Sequence, residues 1–289
     1  MTTVFLNGEY MAKDEARISP DDRGFLLSDG VYEVTPAYDG RLFRFPRHLE
    51  RLGHGLATLR IDQGTGELVE VHERLLRDNG LEQAPCAYVY VQITRGAAPR
   101  VHQFPDGSVT PTVYAFAKAF SRPATEDWEK GSGAITVPDR RWSRVDVKTI
   151  SLLPNVLAQQ AASDAGVANA VFVKDGNALE GTHNNLFAVF DGVVTTHPAT
   201  HEILHGITRA VVLELAGRMG ISVEQRAIPV EEFRSADEIF FTGTTTEIHP
   251  AVSLDGHRVG DGTAGPVTRR LFEAFLEEVR GAGAAEPQG

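Results

Sequence analysis

Five of the nine Asn-Gly or Asp-Gly pairs in this 289-residue chain constrain it more than any other feature: Asn7-Gly8, Asp39-Gly40, Asp175-Gly176, Asp191-Gly192 and Asp255-Gly256. Such pairs supply the positive φ angles of two-residue hairpin turns, so the runs around them are expected to pair antiparallel. A short apolar strand is expected at 4–6, and two extended runs, 31–38 and 41–45, meet at Asp39-Gly40. Helical periodicity breaks in between the hairpins. Leu49, Leu52, Leu56 and Leu59 share one face of 46–59, with Pro46 at its start, and Leu68, Val71, Leu75 and Leu76 mark a second helix over 66–79. Residues 87–94 and 112–119, rich in Val, Tyr and Phe, read as buried strands.

The pattern then dissolves into Ser, Arg, Pro, Thr, Glu and Asp, which suggests an interdomain linker over 119–127. The expected organisation is a smaller N-terminal α+β domain, 1–118, and a larger C-terminal α+β domain, 128–289. In the second, strands at 134–137, 170–173, 186–190 and 238–241 alternate with helices at 156–165, 207–218 and 266–279. The small, polar tail 281–289 is expected to fray. Hairpins mixed with helices argue against a doubly wound parallel sheet.

Charge and cysteine content exclude several classes. With 28 Lys+Arg against 39 Asp+Glu, the formal net charge of −11 disfavours nucleic-acid and anionic-membrane binding. The single cysteine, Cys86, excludes a disulfide framework and a Cys-rich zinc site, and no His/Asp/Glu set has metal-ligand spacing on one element. No GxSxG, Walker or GxGxxG motif occurs. The N-terminus lacks a signal-peptide pattern and no run has the apolar length of a membrane span, so a cytoplasmic protein is expected.

Only five of the 28 basic residues are lysines. Lys148 lies where apolar and polar residues alternate ahead of Leu152 and Leu153, so its chain is expected to be extended and part-buried. A desolvated amine is the kind that attacks a carbonyl, because burial disfavours its charged form. The local sequence equally allows a strand-end lysine facing water, and Lys118 in AFAKAF is a rival. Two segments suit a phosphate: His205-Gly206-Ile207-Thr208, ahead of an apolar-periodic helix, and Thr242-Gly243-Thr244-Thr245-Thr246 after a strand. Either could simply be a helix start or a turn. Glu180, before a polar turn, could solvate that turn or pair with a cationic cofactor nitrogen. Lysine, carboxylate and two phosphate-type turns together suit pyridoxal phosphate.

Six strings in order carry a resemblance over nearly the whole chain: DRGFLLSDGVYEV (22–34), FRFPRHLERL (43–52), VKTISLLPNVLA (147–158), LEGTHNNLFAV (179–189), ILHGITR (203–209) and IFFTGTTTEIHPAV (239–252). The chain resembles the class IV, or fold-type IV, pyridoxal-phosphate aminotransferases. The resemblance implies that Lys148 holds the cofactor covalently and that Glu180 faces the pyridine nitrogen. It further implies that Arg51, the Ile207 and Thr208 amides and Thr244, with Gly206 and Gly243, receive the phosphate. The segment 92–105 resembles the D-amino-acid aminotransferase version of its loop, in which Arg100 and His102, with Tyr32, trap the substrate carboxylate. Implied are D-amino acids, D-alanine first, as donors, 2-oxo acids such as 2-oxoglutarate or pyruvate as acceptors, and turnover through the pyridoxamine form. An (R)-amine transaminase, an L-branched-chain aminotransferase and an aminodeoxychorismate lyase are the alternatives within the family. A homodimer with the Arg100/His102 loop reaching the neighbouring subunit is also implied. Two departures stand out: His183 where relatives carry small serines, and Pro36 in a strand expected to border the pocket.

Overall fold

The computed structural model describes residues 2–107 and 109–281, so all of the expected fraying tail except Gly281 lies outside the described residues. The chain divides into two compact units: Met1–Arg122 with Val147–Ser151, and Pro123–Asp146 with Leu152–Gly289.

The first unit is a six-stranded sheet with two helices on one face. Its strands are β1 (Thr3–Leu6), β2 (Glu9–Ala12), β3 (Gly30–Tyr38), β4 (Arg41–Leu42), β5 (Ala87–Thr94) and β6 (Thr112–Ala119), in the spatial order β2-β1-β6-β5-β3-β4. Asn7-Gly8 and Asp39-Gly40 form the expected hairpin turns, all four residues at positive φ. The second extended run stops at Leu42, because Arg44 turns left-handed and a helix begins at once. A short helix, α1 (Arg23–Leu27), is capped by Asp22, whose carboxylate accepts from Gly24 N at 2.7 Å. Period-two alternation puts Val31, Ala37, Val89, Val91 and Ile93 on one face, packed under α2 (Phe45–Leu59) and α3 (Leu68–Asp78).

Pro36 does not break the sheet. The Phe43 amide donates to Pro36 O at 2.9 Å, so Pro36 turns its backbone away from β5 toward a side where β4 is only two residues long. Its missing N–H therefore falls outside the β3–β5 ladder.

One buried group makes this unit acid-sensitive. His72 on α3 donates from Nδ1 to Leu68 O at 2.6 Å, while its Nε2 is buried without a partner. Burial pushes its pKa down to about 4, against the upward pull of that hydrogen bond. An unfolded histidine titrates near 6.5, so this stability is present above that pH and is lost as the pH falls toward 4. Lowering the pH from 7 to 5 is expected to cost about 2 kcal/mol of unfolding free energy from this group. His72→Leu should flatten that slope in urea titrations; an unchanged slope would assign the acid sensitivity elsewhere.

The second unit is a ten-stranded mixed sheet. Its strands are β7 (Ser132–Pro138), β8 (Asn169–Lys174), β9 (Asn177–Gly181), β10 (Asn185–Phe190), β11 (Val193–Thr196), β12 (Val223–Gln225), β13 (Ile228–Pro229), β14 (Glu238–Gly243), β15 (Glu247–Leu254) and β16 (His257–Arg258). Asp175-Gly176, Asp191-Gly192 and Asp255-Gly256 turn the β8–β9, β10–β11 and β15–β16 hairpins. β7 lies parallel to both β8 and β15. The path β10-β14-β15-β7-β8-β9 curls round until β9 meets β10 again at Glu180 and Asn185. α5 (Leu153–Asp164) packs Ala158 and Ala162 on Ala170 and Phe172, while α6 (Ile207–Arg218) and α7 (Pro266–Gly281) contact each other.

Two boundaries differ from expectation. The polar stretch 119–127 runs into a helix, α4 (Thr125–Lys130), because Trp128 stacks on Phe272 at 4.4 Å and donates to Ile248 O at 2.7 Å. Val147–Ser151, expected in the C-terminal domain, belongs to the first unit: Thr149 bridges Val31, and Tyr32 N donates to Lys148 O at 3.0 Å. Backbone pairing with β3 outweighs position in the sequence. No described helix is long and apolar enough to cross a membrane.

Candidate active site

In the first unit, Lys148 is half-buried and its Nζ stands 4.2 Å from the centre of the Tyr32 ring. Tyr32 in turn stacks on Tyr90, with ring centres 5.6 Å apart. Lys118, the rival lysine, is exposed on β6. The neighbour of Tyr32, Glu33, points to the opposite face of β3 and is 3% exposed. Its carboxylate accepts from Arg51 Nε at 2.9 Å, Arg51 Nη2 at 2.6 Å and Val34 N at 2.9 Å, and lies 3.0 Å from His48 Nδ1. Burial would raise the Glu33 pKa, but the Arg51 charge and the His48 contact hold it well below the usual carboxylate range. Burial lowers the His48 pKa, with Glu33 opposing and the Arg51 and Lys148 charges adding to the fall. Arg51, on α2, is thus fixed by a bidentate pair, the geometry a guanidinium fork prefers.

The loop after β5 is anchored on both sides of Arg100 and His102. Gly96 opens it at φ +96°, where a Cβ would collide with the Thr110 carbonyl. Arg23 Nη1 donates to Val101 O at 2.7 Å, and the Arg95 guanidinium lies 3.7 Å from the Phe104 ring centre. Asp29 ties both arginines together, accepting from Arg23 Nε and Arg95 Nε at 2.8 Å. Arg100 and His102 flank the pinned Val101, and both are exposed.

In the second unit, Glu180 is 4% exposed on β9. One oxygen accepts from Arg141 Nη1 at 2.5 Å and the other from Asn185 Nδ2 at 2.9 Å, and the Leu204 amide lies 3.1–3.2 Å from both. Arg141 also forks onto Asp139, with Nε at 3.0 Å and Nη2 at 2.9 Å, and sits 4.1 Å over the Phe172 ring. Burial opposes the charge of Arg141; the Asp139 hydrogen bond and the Glu180 charge more than compensate and raise its pKa. α6 starts at Ile207 with Gly206 as N-cap and no side-chain cap, so the first amides, Ile207 and Thr208 among them, have no carbonyl inside the helix to bond. Thr242 pairs with Asn185 across β14 and β10 and leads into Gly243 and the half-buried Thr244. His183 is exposed, its Nδ1 2.9 Å from Thr182 Oγ1.

Residues 30–254 match the profile of the amino-transferase class IV family. The chain belongs to the class IV aminotransferases. A D-alanine aminotransferase of Staphylococcus haemolyticus is 41% identical over 277 residues, covering 95% of this chain and 97% of its own. One from Bacillus licheniformis is 38% identical over 285 residues, covering 96% of each. Among solved structures, the Escherichia coli branched-chain amino acid aminotransferase superposes with a TM-score of 0.89 at 29% identity, over 99% of this chain and 96% of that one. The Thermoproteus uzoniensis branched-chain aminotransferase gives 0.85 at 27% identity, over 98% and 96%.

Class IV aminotransferases depend on pyridoxal phosphate, and the residues of this one suit it. A buried anionic carboxylate matches a cationic ring nitrogen, and a helix start without a side-chain cap matches a phosphate. Gly206 makes room there for Asn185 Oδ1, which a Cβ would have to displace. Sequence reasoning missed Glu33, His48, Asp139, Arg141 and Asn185. Strand parity was the available signal for Glu33, which shares the core face of β3 with Val31 and Ala37. Nothing local distinguishes Asp139 or Arg141.

Proposed function

We propose that this class IV aminotransferase moves the amino group of D-amino acids, D-alanine first, onto a 2-oxo acid such as 2-oxoglutarate or pyruvate. One observation carries the reading: Lys148 Nζ stands against Tyr32 in the unit whose pinned loop presents Arg100 and His102. A phenol, a guanidinium and an imidazole can all donate to one carboxylate. The Staphylococcus and Bacillus relatives, both D-alanine aminotransferases, support the same substrate.

Bound pyridoxal phosphate supplies an electron-accepting ring. Lys148 would hold it covalently, and its Nζ would carry the proton taken from the substrate Cα. Glu180, paired with Arg141, would accept from the ring nitrogen. Arg51, the Ile207 and Thr208 amides and Thr244 hold the phosphate, with Gly206 and Gly243 leaving room for it. The Cα–H bond must point at Lys148, so the side on which Tyr32, Arg100 and His102 bind the carboxylate selects the enantiomer. A homodimer belongs to this proposal, with the exposed Arg100 and His102 completing the site of the opposite subunit. Lys148, Glu180, Arg51 and Tyr32 then act in the chain that binds the cofactor.

The similarity to solved branched-chain aminotransferases favours one second reading, an L-branched-chain aminotransferase. A panel of D-alanine, L-leucine and (R)-1-phenylethylamine separates the readings. D-alanine is expected to convert the absorption of the loaded protein to that of the pyridoxamine form. Conversion by L-leucine alone, or by the amine alone, would overturn the D-amino-acid assignment.

A further inference from the structure

We propose that Asn185 is a positioning residue that ties the Glu180 carboxylate and the backbone ahead of α6 into one rigid unit. The ring end and the phosphate end of the cofactor are then gripped in fixed register. This rests on the reading above, in which Glu180 and the α6 amides hold those two ends.

Asn185 is 4% exposed and lies at the seam where the sheet closes, the register partner of Glu180 on β9 and of Thr242 on β14. Its carboxamide nitrogen has two hydrogens, and each has an acceptor: Glu180 Oε2 at 2.9 Å and Leu204 O at 2.8 Å. The Leu204 amide donates back to Glu180, closing a triangle of three contacts among Asn185, Glu180 and Leu204. Leu204 stands two residues before Gly206, the N-cap of α6. The remaining carboxamide atom, Oδ1, fills the space a Cβ on Gly206 would need, so the helix start rests directly on Asn185.

Neither aspartate nor serine supplies this set. Aspartate offers only acceptors to a carboxylate and a carbonyl, and serine has one donor where two are needed. Arg141 binds Glu180 independently of Asn185, so loss of Asn185 leaves the ion pair and removes the geometric link. Asn185 is therefore expected to act on where the anchoring groups stand, not on the charge of Glu180.

The test compares the affinities of the full-length apoprotein for pyridoxal phosphate and for unphosphorylated pyridoxal, in wild type, Asn185→Asp and Asn185→Ser. Pyridoxal phosphate should bind roughly 10–100-fold more weakly to both variants, the effect of losing hydrogen bonds to a charged group and its neighbour. The preference for the phosphorylated ligand should shrink with it, because the α6 amides shift relative to Glu180. General destabilisation would lower the unfolding midpoint but leave that preference intact, which would overturn the proposal. Gly206→Ala keeps Asn185 and displaces its carboxamide from the other side; the same reduced preference is expected, and an unchanged one counts against the link. A wild-type protein without affinity for pyridoxal phosphate would overturn the site reading and this inference together. Wild-type binding with unaltered preference in the variants would overturn the inference alone.

Discussion

Replacement of Lys148 by alanine is expected to lower D-alanine transamination by roughly 10,000-fold or more, since one residue serves as both covalent anchor and proton carrier. The fold should survive. The segment around Lys148 is held to β3 by its backbone, through Tyr32 N to Lys148 O and the Val31–Thr149 bridge, and alanine preserves both. The loss should therefore appear in turnover with little change in the unfolding midpoint. Lys118→Ala, at an exposed position on β6, should leave turnover intact. A dead Lys118 variant beside an active Lys148 variant would mean that the wrong lysine carries the chemistry.

Mixing Lys148→Ala with Arg100→Ala, each inactive alone, is expected to restore activity once subunits exchange. With the loop donated across a two-fold interface, each mixed dimer has one site bearing both defects and one bearing neither. Random pairing then gives about a quarter of the wild-type rate. With the loop acting in its own chain, every site retains one defect and nothing returns. Exposed apolar residues favour an interface: Val101 and Phe104 on the loop are 49% and 45% exposed, and Leu153, Val156 and Leu157 on α5 are 68%, 59% and 63% exposed. Proven exchange without recovered activity would refute the shared site.

Much of the local architecture was legible because it depends on short-range chemistry. The five Asn-Gly and Asp-Gly pairs set between extended runs each turned a hairpin, since the φ requirement of the turn acts within two residues. Strands 87–94 and 112–119 and the helix over 207–218 match the structure to the residue. Apolar periodicity gave α2 its buried face through Leu52 and Leu56, yet it could not show that His48 is buried beside them. A histidine on an apolar face has no local mark of its partner.

What the sequence by itself determined is therefore most of the elements and, through six ordered strings, the family. The tertiary structure decided their partnerships. Glu33 reaches Arg51 across 18 residues, Arg141 reaches Glu180 across 39 and Asn185 reaches Leu204 across 19. None of these pairs lies within a single helix or strand; each exists only once a register has been chosen. Lys148 joins the first unit because its backbone pairs with β3, and Glu180 meets Asn185 because the second sheet curls until β9 touches β10. Burial then gives those contacts their strength. Out of water, a charged group must find a partner, and only the closed fold brings the partner within reach.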